Sequence, residues 1–186
     1  MRLVRSNLRG RMALAGVAAT LAGLLLVPAG ARACPNEDLS PSAMTVEAAG
    51  TSTLCLINER RNKNDLRKLR PDARLEQAAQ THSASMSADQ FFAHESPAGS
   101  SPLDRVRAAG YLAGASAWGV AENINWGSGG EATPRSVVQR WMNSPDHRGV
   151  MLNRRYRQVG IGVTIGSPIG PALNGAIYTA DFGYRK

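Results

Sequence analysis

Apolar positions recur along this chain with two different periods. After Pro71-Asp72, the residues Leu75, Ala78, Ala79, His82 and Met86 fall at helical spacing, which predicts a helix to about Asp89 with one apolar face. Thr133-Pro134 opens another, with Val137, Val138, Trp141 and Met142 as its apolar side, and Ser144-Pro145 restarts a helical turn through Leu152. Thr51-Ser52-Thr53 offers N-caps for an earlier helix from Leu54 that ends near Asn62 to Asn64. Leu66 and Leu69 anchor the link that follows it. Pro102 starts a short helix through Arg107, stopped by Gly110. Beyond Leu152 the period changes to two. Val159, Ile161, Val163 and Ile165 alternate with Gly160, Gly162 and Thr164, and residues 176–182 form a second strand after a Gly- and Pro-containing hairpin loop at 166–175. Val120 to Ile124 reads as a short extended segment, and Gly127-Ser128-Gly129-Gly130 as a turn. Helices first and strands last predict an α+β domain with a small antiparallel sheet.

The ends of the chain modify this picture. Arg2, Arg5, Arg9 and Arg11 precede an uncharged apolar run from Met12 to Val27, and Ala31-Arg32-Ala33 gives a small-x-small cleavage site before Cys34. Residues 1–33 therefore read as an export signal. The apolar run is short for a spanning helix and no second one follows, so no transmembrane segment is expected after cleavage. Arg32, and the lack of a Leu three residues before Cys34, fit a lipoprotein signal poorly. The net charge of +8 drops to +3 once the five arginines of this segment are removed, and no nucleic-acid partner is expected. Residues 34–50, with Pro35 and Pro41 and no clear period, read as an irregular N-terminal arm before a domain over 51–186. An exported chain meets oxidising conditions, and its two cysteines, Cys34 and Cys55, are expected to form a disulfide.

Candidate chemistry centres on the histidines, of which the chain has three. His94 and His147 lie in turn-rich segments on either side of Glu122. Two imidazoles and a carboxylate can bind a divalent metal or transfer protons, provided the fold brings them together. His82 belongs to the apolar face of its helix and reads as a packed core residue that needs a hydrogen-bond partner. Trp141 and Met142 read as core. Arg148, Arg154, Arg155 and Arg157 form a basic cluster that reads as a solvated face, or as a dock for an anionic polymer or lipid headgroup.

Eight segments in this order resemble the CAP superfamily (cysteine-rich secretory, antigen 5 and pathogenesis-related proteins), in its exported bacterial form. They are Leu56-Ile57-Asn58-Glu59-Arg60, residues 75–82, Phe92-Ala93-His94-Glu95-Ser96-Pro97, Ala108-Ala109-Gly110-Tyr111, Ala121-Glu122-Asn123-Ile124, residues 141–148, Val159-Gly160-Ile161-Gly162 and residues 178–183. The resemblance implies an α-β-α sandwich whose cleft is lined by two histidines and two acids. By motif, His94 and His147 are similar to the two histidines and Glu122 to the first acid. The second acid departs from the pattern: Ser144 stands near where it belongs, and Glu95 and Asp181 are its candidate surrogates.

These residues lead to an expectation of a secreted binding module. Its cleft of His94, Glu122, His147 and Ser144 would hold a divalent metal such as zinc through His94, Glu122 and His147. The resemblance adds a small lipid-like ligand or a cell-envelope component as partner. The alternative is a metal-assisted hydrolase or peptidase with Glu122 as general base. Neither His-Glu-x-x-His nor Gly-x-Ser-x-Gly occurs to support that alternative. A purely structural or adhesive extracellular role is the third reading.

Overall fold

Glycines on one strand let a helix lie almost in contact with the sheet, and this packing organises the fold. The computed structural model describes residues 34–171 and 175–186. The export segment expected over residues 1–33 lies outside the described residues. The first helix, α1, is Val46–Asn62, capped by the Thr45 side chain accepting from the Ala48 amide. It therefore begins earlier than Thr51, and the expected arm shrinks to turns and one 3-10 turn at Pro41–Ala43. Ser52 and Thr53 are buried inside α1, and the Thr53 hydroxyl donates to the Ala49 carbonyl instead of capping.

The strand β1, Arg70–Pro71, leads into α2, Ala73–Ala88, whose N-cap Asp72 accepts from the Arg74 amide. Next come α3, Pro102–Ala108, β2, Trp118–Ser128, α4, Pro134–Asn143, and α5, Pro145–Met151. The chain closes with β3, Gln158–Ile165, and β4, Gly175–Arg185. Among the described residues the sheet order is β1-β3-β4-β2. The pairs β3–β4 and β4–β2 are antiparallel, as expected, whereas β1 runs parallel to β3. The Arg70 and Asp72 amides donate to the Arg157 and Val159 carbonyls, and the ladder ends where Asp72 becomes the N-cap of α2.

Strand register sorts side chains onto two faces. Val159, Val163, Tyr178, Ala180 and Phe182 pack with Leu56, Ile57, Val137 and Trp141 on the α1 and α4 side. Gly160 and Gly162 face α2. A Cβ at Gly160 would collide with the Glu76 amide nitrogen, and one at Gly162 with the Ala79 carbonyl carbon. Helices on both faces of the sheet make the α-β-α sandwich. Cys34 and Cys55 are disulfide-bonded with Cα atoms 5.8 Å apart, which ties residue 34 to α1.

Arg61 at the end of α1 is fully buried. Its guanidinium donates to the carbonyls of Arg67, Met151 and Asn153, the last two at the end of α5 and just beyond it. One cation thus satisfies chain ends that no backbone donor reaches.

Candidate functional site

Glu122 sits near the start of β2 on the face covered by α2, and it is 8% exposed. Its Oε1 accepts from His94 Nδ1 at 2.7 Å, and its Oε2 accepts from Arg105 Nη2 at 2.7 Å. Arg105 projects from α3, whose start is set by a Ser101–Asp104 capping box. The same guanidinium donates to the carbonyls of His94 and Ser100. Arg105 therefore clamps both the carboxylate and the loop that carries His94. Burial opposes ionisation of Glu122, but the His94 hydrogen bond and the Arg105 charge more than offset it and hold its pKa below the ordinary value.

The Glu122 carboxylate fixes His94. With Nδ1 donating to it, Nε2 is the free ring nitrogen, on a side chain that is 49% exposed. His94 and Glu122 border a groove of about 470 Å³, also lined by Ser101, Pro102, Leu103, Trp118, Val120 and Ala121. Trp118 is an exposed large hydrophobic side chain there.

His82 is fully buried in α2, as its position on the apolar face predicts. Its Nε2 donates to the Ala93 carbonyl at 2.9 Å, and its ring tilts against Phe91. It also reaches the site, with Nε2 3.8 Å from Glu122 Oε1. Burial lowers its pKa, only partly opposed by the Glu122 charge, so the ring is neutral at neutral pH.

His147 is half-buried on α5, and its carbonyl accepts from Asn123 Nδ2, which holds α5 against β2. Burial lowers its pKa, and the His94 charge lowers it further. Ser144 is the hinge residue between α4 and α5 and makes no side-chain cap bond.

His94 and Glu122 are thus in direct contact. His94, Glu122 and His147 do not bring three ligand atoms within 4.8 Å of one another. Among the described residues the group that does so is Cys34, Cys55 and Glu59, and there both sulfurs are tied up in the disulfide. The two surrogate acids part company: Glu95 is exposed in the loop, whereas Asp181 is 1% exposed and faces Glu122 across the β2–β4 ladder. Sequence reading missed Arg105, a single arginine in a short helix with no spacing signal to distinguish it from Arg107. The nearest clue was the capping box, which places α3 directly after the His94 loop.

Comparison with known proteins agrees with this fold. The model of the CAP family, described as the cysteine-rich secretory protein family, matches residues 54–170. The uncharacterized protein YkwD of Bacillus subtilis (strain 168) is 32% identical over 155 residues, 83% of this chain and 54% of YkwD. The chain thus spans about half the length of that relative. An extracellular protein containing a SCP domain from Bacillus anthracis str. Ames shares the fold with TM-score 0.55 and 26% identity, over 74% of this chain and 39% of that one. An outer surface protein from Borrelia burgdorferi matches with TM-score 0.58 and 23% identity, over 72% of this chain and 90% of its own. With the family model covering well over half of its length, the chain belongs to the cysteine-rich secretory protein (CAP) family.

Proposed function

We propose that this CAP domain is an exported binding module that presents His94 and His147 to a divalent metal, with the groove beside His94 open to a small apolar ligand. The observation that carries this reading is the His94–Glu122 hydrogen bond. A buried carboxylate that accepts from one imidazole nitrogen orients the ring and raises the basicity of the other nitrogen, as second-sphere carboxylates do for zinc-binding histidines. His147 stays neutral to lower pH than an ordinary histidine, which suits a ligand. The donor set fits a divalent metal in this form: His94 and His147 would hold it, and Glu122 would orient His94. Both Glu122 oxygens already accept from N–H donors, which argues for the orienting role. The metal would supply a Lewis-acidic centre at the mouth of the groove.

Apolar side chains of Leu103, Val120 and Trp118 beside His94 support a lipid-like ligand in the groove. The disulfide supports export, since such bonds persist in oxidising compartments. Among the described residues no helix is long and apolar enough to cross a membrane. The hydrolase reading is less well supported, because a carboxylate engaged by Arg105 and His94 is not free to accept a proton from water.

Calorimetry with zinc tests the proposal. Wild-type protein should bind, with His94→Ala and His147→Ala abolishing the heat and Glu122→Gln weakening binding by about 10–100-fold. Equal binding by all four proteins, or none by wild type at micromolar zinc, would remove the metal from the proposal.

A further inference from the structure

We propose that two basic runs, residues 67–70 and 154–157, form one docking surface for a flexible polymer of phosphodiester units. The inference depends on neither the metal nor the groove beside His94.

The two runs share a pattern. Arg67-Lys68-Leu69-Arg70 and Arg154-Arg155-Tyr156-Arg157 each place one apolar residue among three cations. Leu69 and Tyr156 are buried in the same core cluster. With these anchors turned inward, five of the six cations are exposed and Arg157 is half-buried. The eight residues hold six cations and no acid, a charge of +6. Residues 34–186 as a whole carry +3, so the rest of the domain stands at −3. Positive charge is thus concentrated at one place on a domain that is otherwise mildly acidic.

The fold joins the runs. The buried Arg61 guanidinium donates to the carbonyls of Arg67, Met151 and Asn153, so one side chain pins the start of the first run beside the approach to the second. The Arg70 amide donates to the Arg157 carbonyl, which ties their other ends. Both runs therefore meet where β1, the edge strand of the sheet, begins beside β3. Arg148, grouped with the second run in the sequence, donates instead to the Met142 carbonyl near the end of α4.

These charges have no counter-charge in the fold. Among the described residues none of the six takes part in an ion pair. The side chains of Arg67, Lys68, Arg70 and Arg154 donate to no protein group among the described residues. Arg155 lies over the Tyr184 ring, 4.8 Å from its centroid, and donates to its hydroxyl. Arg157 donates to the Arg154 and Tyr156 carbonyls. The acid that follows the first run, Asp72, is occupied by Arg74 and Gln158. Like charges gathered without acids repel one another, and a bound polyanion removes that repulsion. Five of the six cations are arginines, whose planar forks match phosphate oxygens. The exposed large hydrophobic residues Leu39, Phe92, Trp118, Ile165 and Ile169 lie in neither run. A face that binds a membrane adds apolar side chains to bury among the lipids. A surface of charge alone fits a soluble polyanionic chain.

Fluorescence anisotropy of dye-labelled linear poly(glycerol phosphate) with the exported protein tests the proposal. Raising salt from about 50 mM to about 200 mM should weaken binding about 10²-fold or more, because each neutralised phosphate releases counterions. Lys68→Gln/Arg154→Gln removes one exposed cation from each run. It should lose about tenfold in affinity at low salt and reduce the slope of log affinity against log salt by about 1–2. Arg107→Gln/Arg135→Gln removes the same charge elsewhere and should bind like the parent. Equal losses in the two double variants would overturn the proposal, because net charge and not this surface would then carry the binding. So would parent binding that salt does not weaken. Vesicles of phosphatidylglycerol and phosphatidylcholine form the second arm. Binding to them tighter than to the polymer, and lost in Lys68→Gln/Arg154→Gln, would assign the surface to a membrane and overturn the polymer as its partner.

Discussion

Gly160 on β3 and Glu76 on α2 approach so closely that a side chain at residue 160 would collide with the helix backbone. This contact seats α2 on the sheet and sets the height of His82 above Glu122. Gly160→Ala should therefore destabilise the domain by about 3 kcal/mol or more, at the upper end of overpacking costs, because the clash is with backbone and not with a movable side chain. Denaturant midpoints check it. A change at Gly130, where an added Cβ meets nothing within 4 Å, is the control and should be near neutral.

Arg105 neutralises Glu122 and holds the His94 loop. Arg105→Ala leaves a buried carboxylate with its main cation removed, a change that costs about 3–5 kcal/mol. Arg105→Lys should rescue little, since a single ammonium cannot serve Glu122, His94 and Ser100 through a planar fork. Urea denaturation reads the loss. Limited proteolysis should show new cleavage in residues 93–101 in both variants.

Acid should weaken the fold from about neutral pH downward. His82 has a folded pKa below its ordinary value of 6.5, so the unfolded chain binds more protons in that window. Its contribution is fully present above that ordinary value and is lost as pH falls through the folded one. Glu122, depressed from 4.5, adds a second loss in the same direction at lower pH. Stability compared between about pH 7 and about pH 5 should fall in wild type and fall less in His82→Gln. At neutral pH, His82→Ala should cost about 2–5 kcal/mol as a core truncation. His94→Ala should cost about 1 kcal/mol, since the lost hydrogen bond comes from a half-exposed ring.

The Cys34–Cys55 bridge spans a sequence separation of 21 and should stabilise the domain by about 3 kcal/mol in the chain-entropy model. Cys55→Ser and reduction of the parent should lower the denaturation midpoint equally. Intact-mass analysis of the exported protein without reductant should give an N-terminus at Cys34 and no alkylatable thiol.

Local patterns carried much of the architecture. The faces of α2 and α4 were readable because helical periodicity gathers apolar residues on one stripe, as it does for Leu75, Ala78, Ala79 and His82. The strands β3 and β4 were readable because alternation marks a sheet with two different faces. The start of α1 was misplaced because Thr51, Ser52 and Thr53 look like caps, and only packing against β3 and α4 keeps them helical. Likewise β2 is longer than the expected segment from Val120 to Ile124. Asn125 and Gly127 are poor strand formers and are extended because β4 pairs with them.

The sequence by itself determined the family: His94, Glu122 and His147 stand in motifs whose order matches it. It also determined the disulfide, since an even count of two leaves one pairing. Tertiary structure alone decided what those residues do. Hydrogen-bond partners such as Arg105 for Glu122 come from separate elements, and burial of Asp181 depends on a helix that two glycines on another strand let in. Protonation state follows from burial and neighbouring charge, and both are properties of the assembled fold that no local pattern encodes.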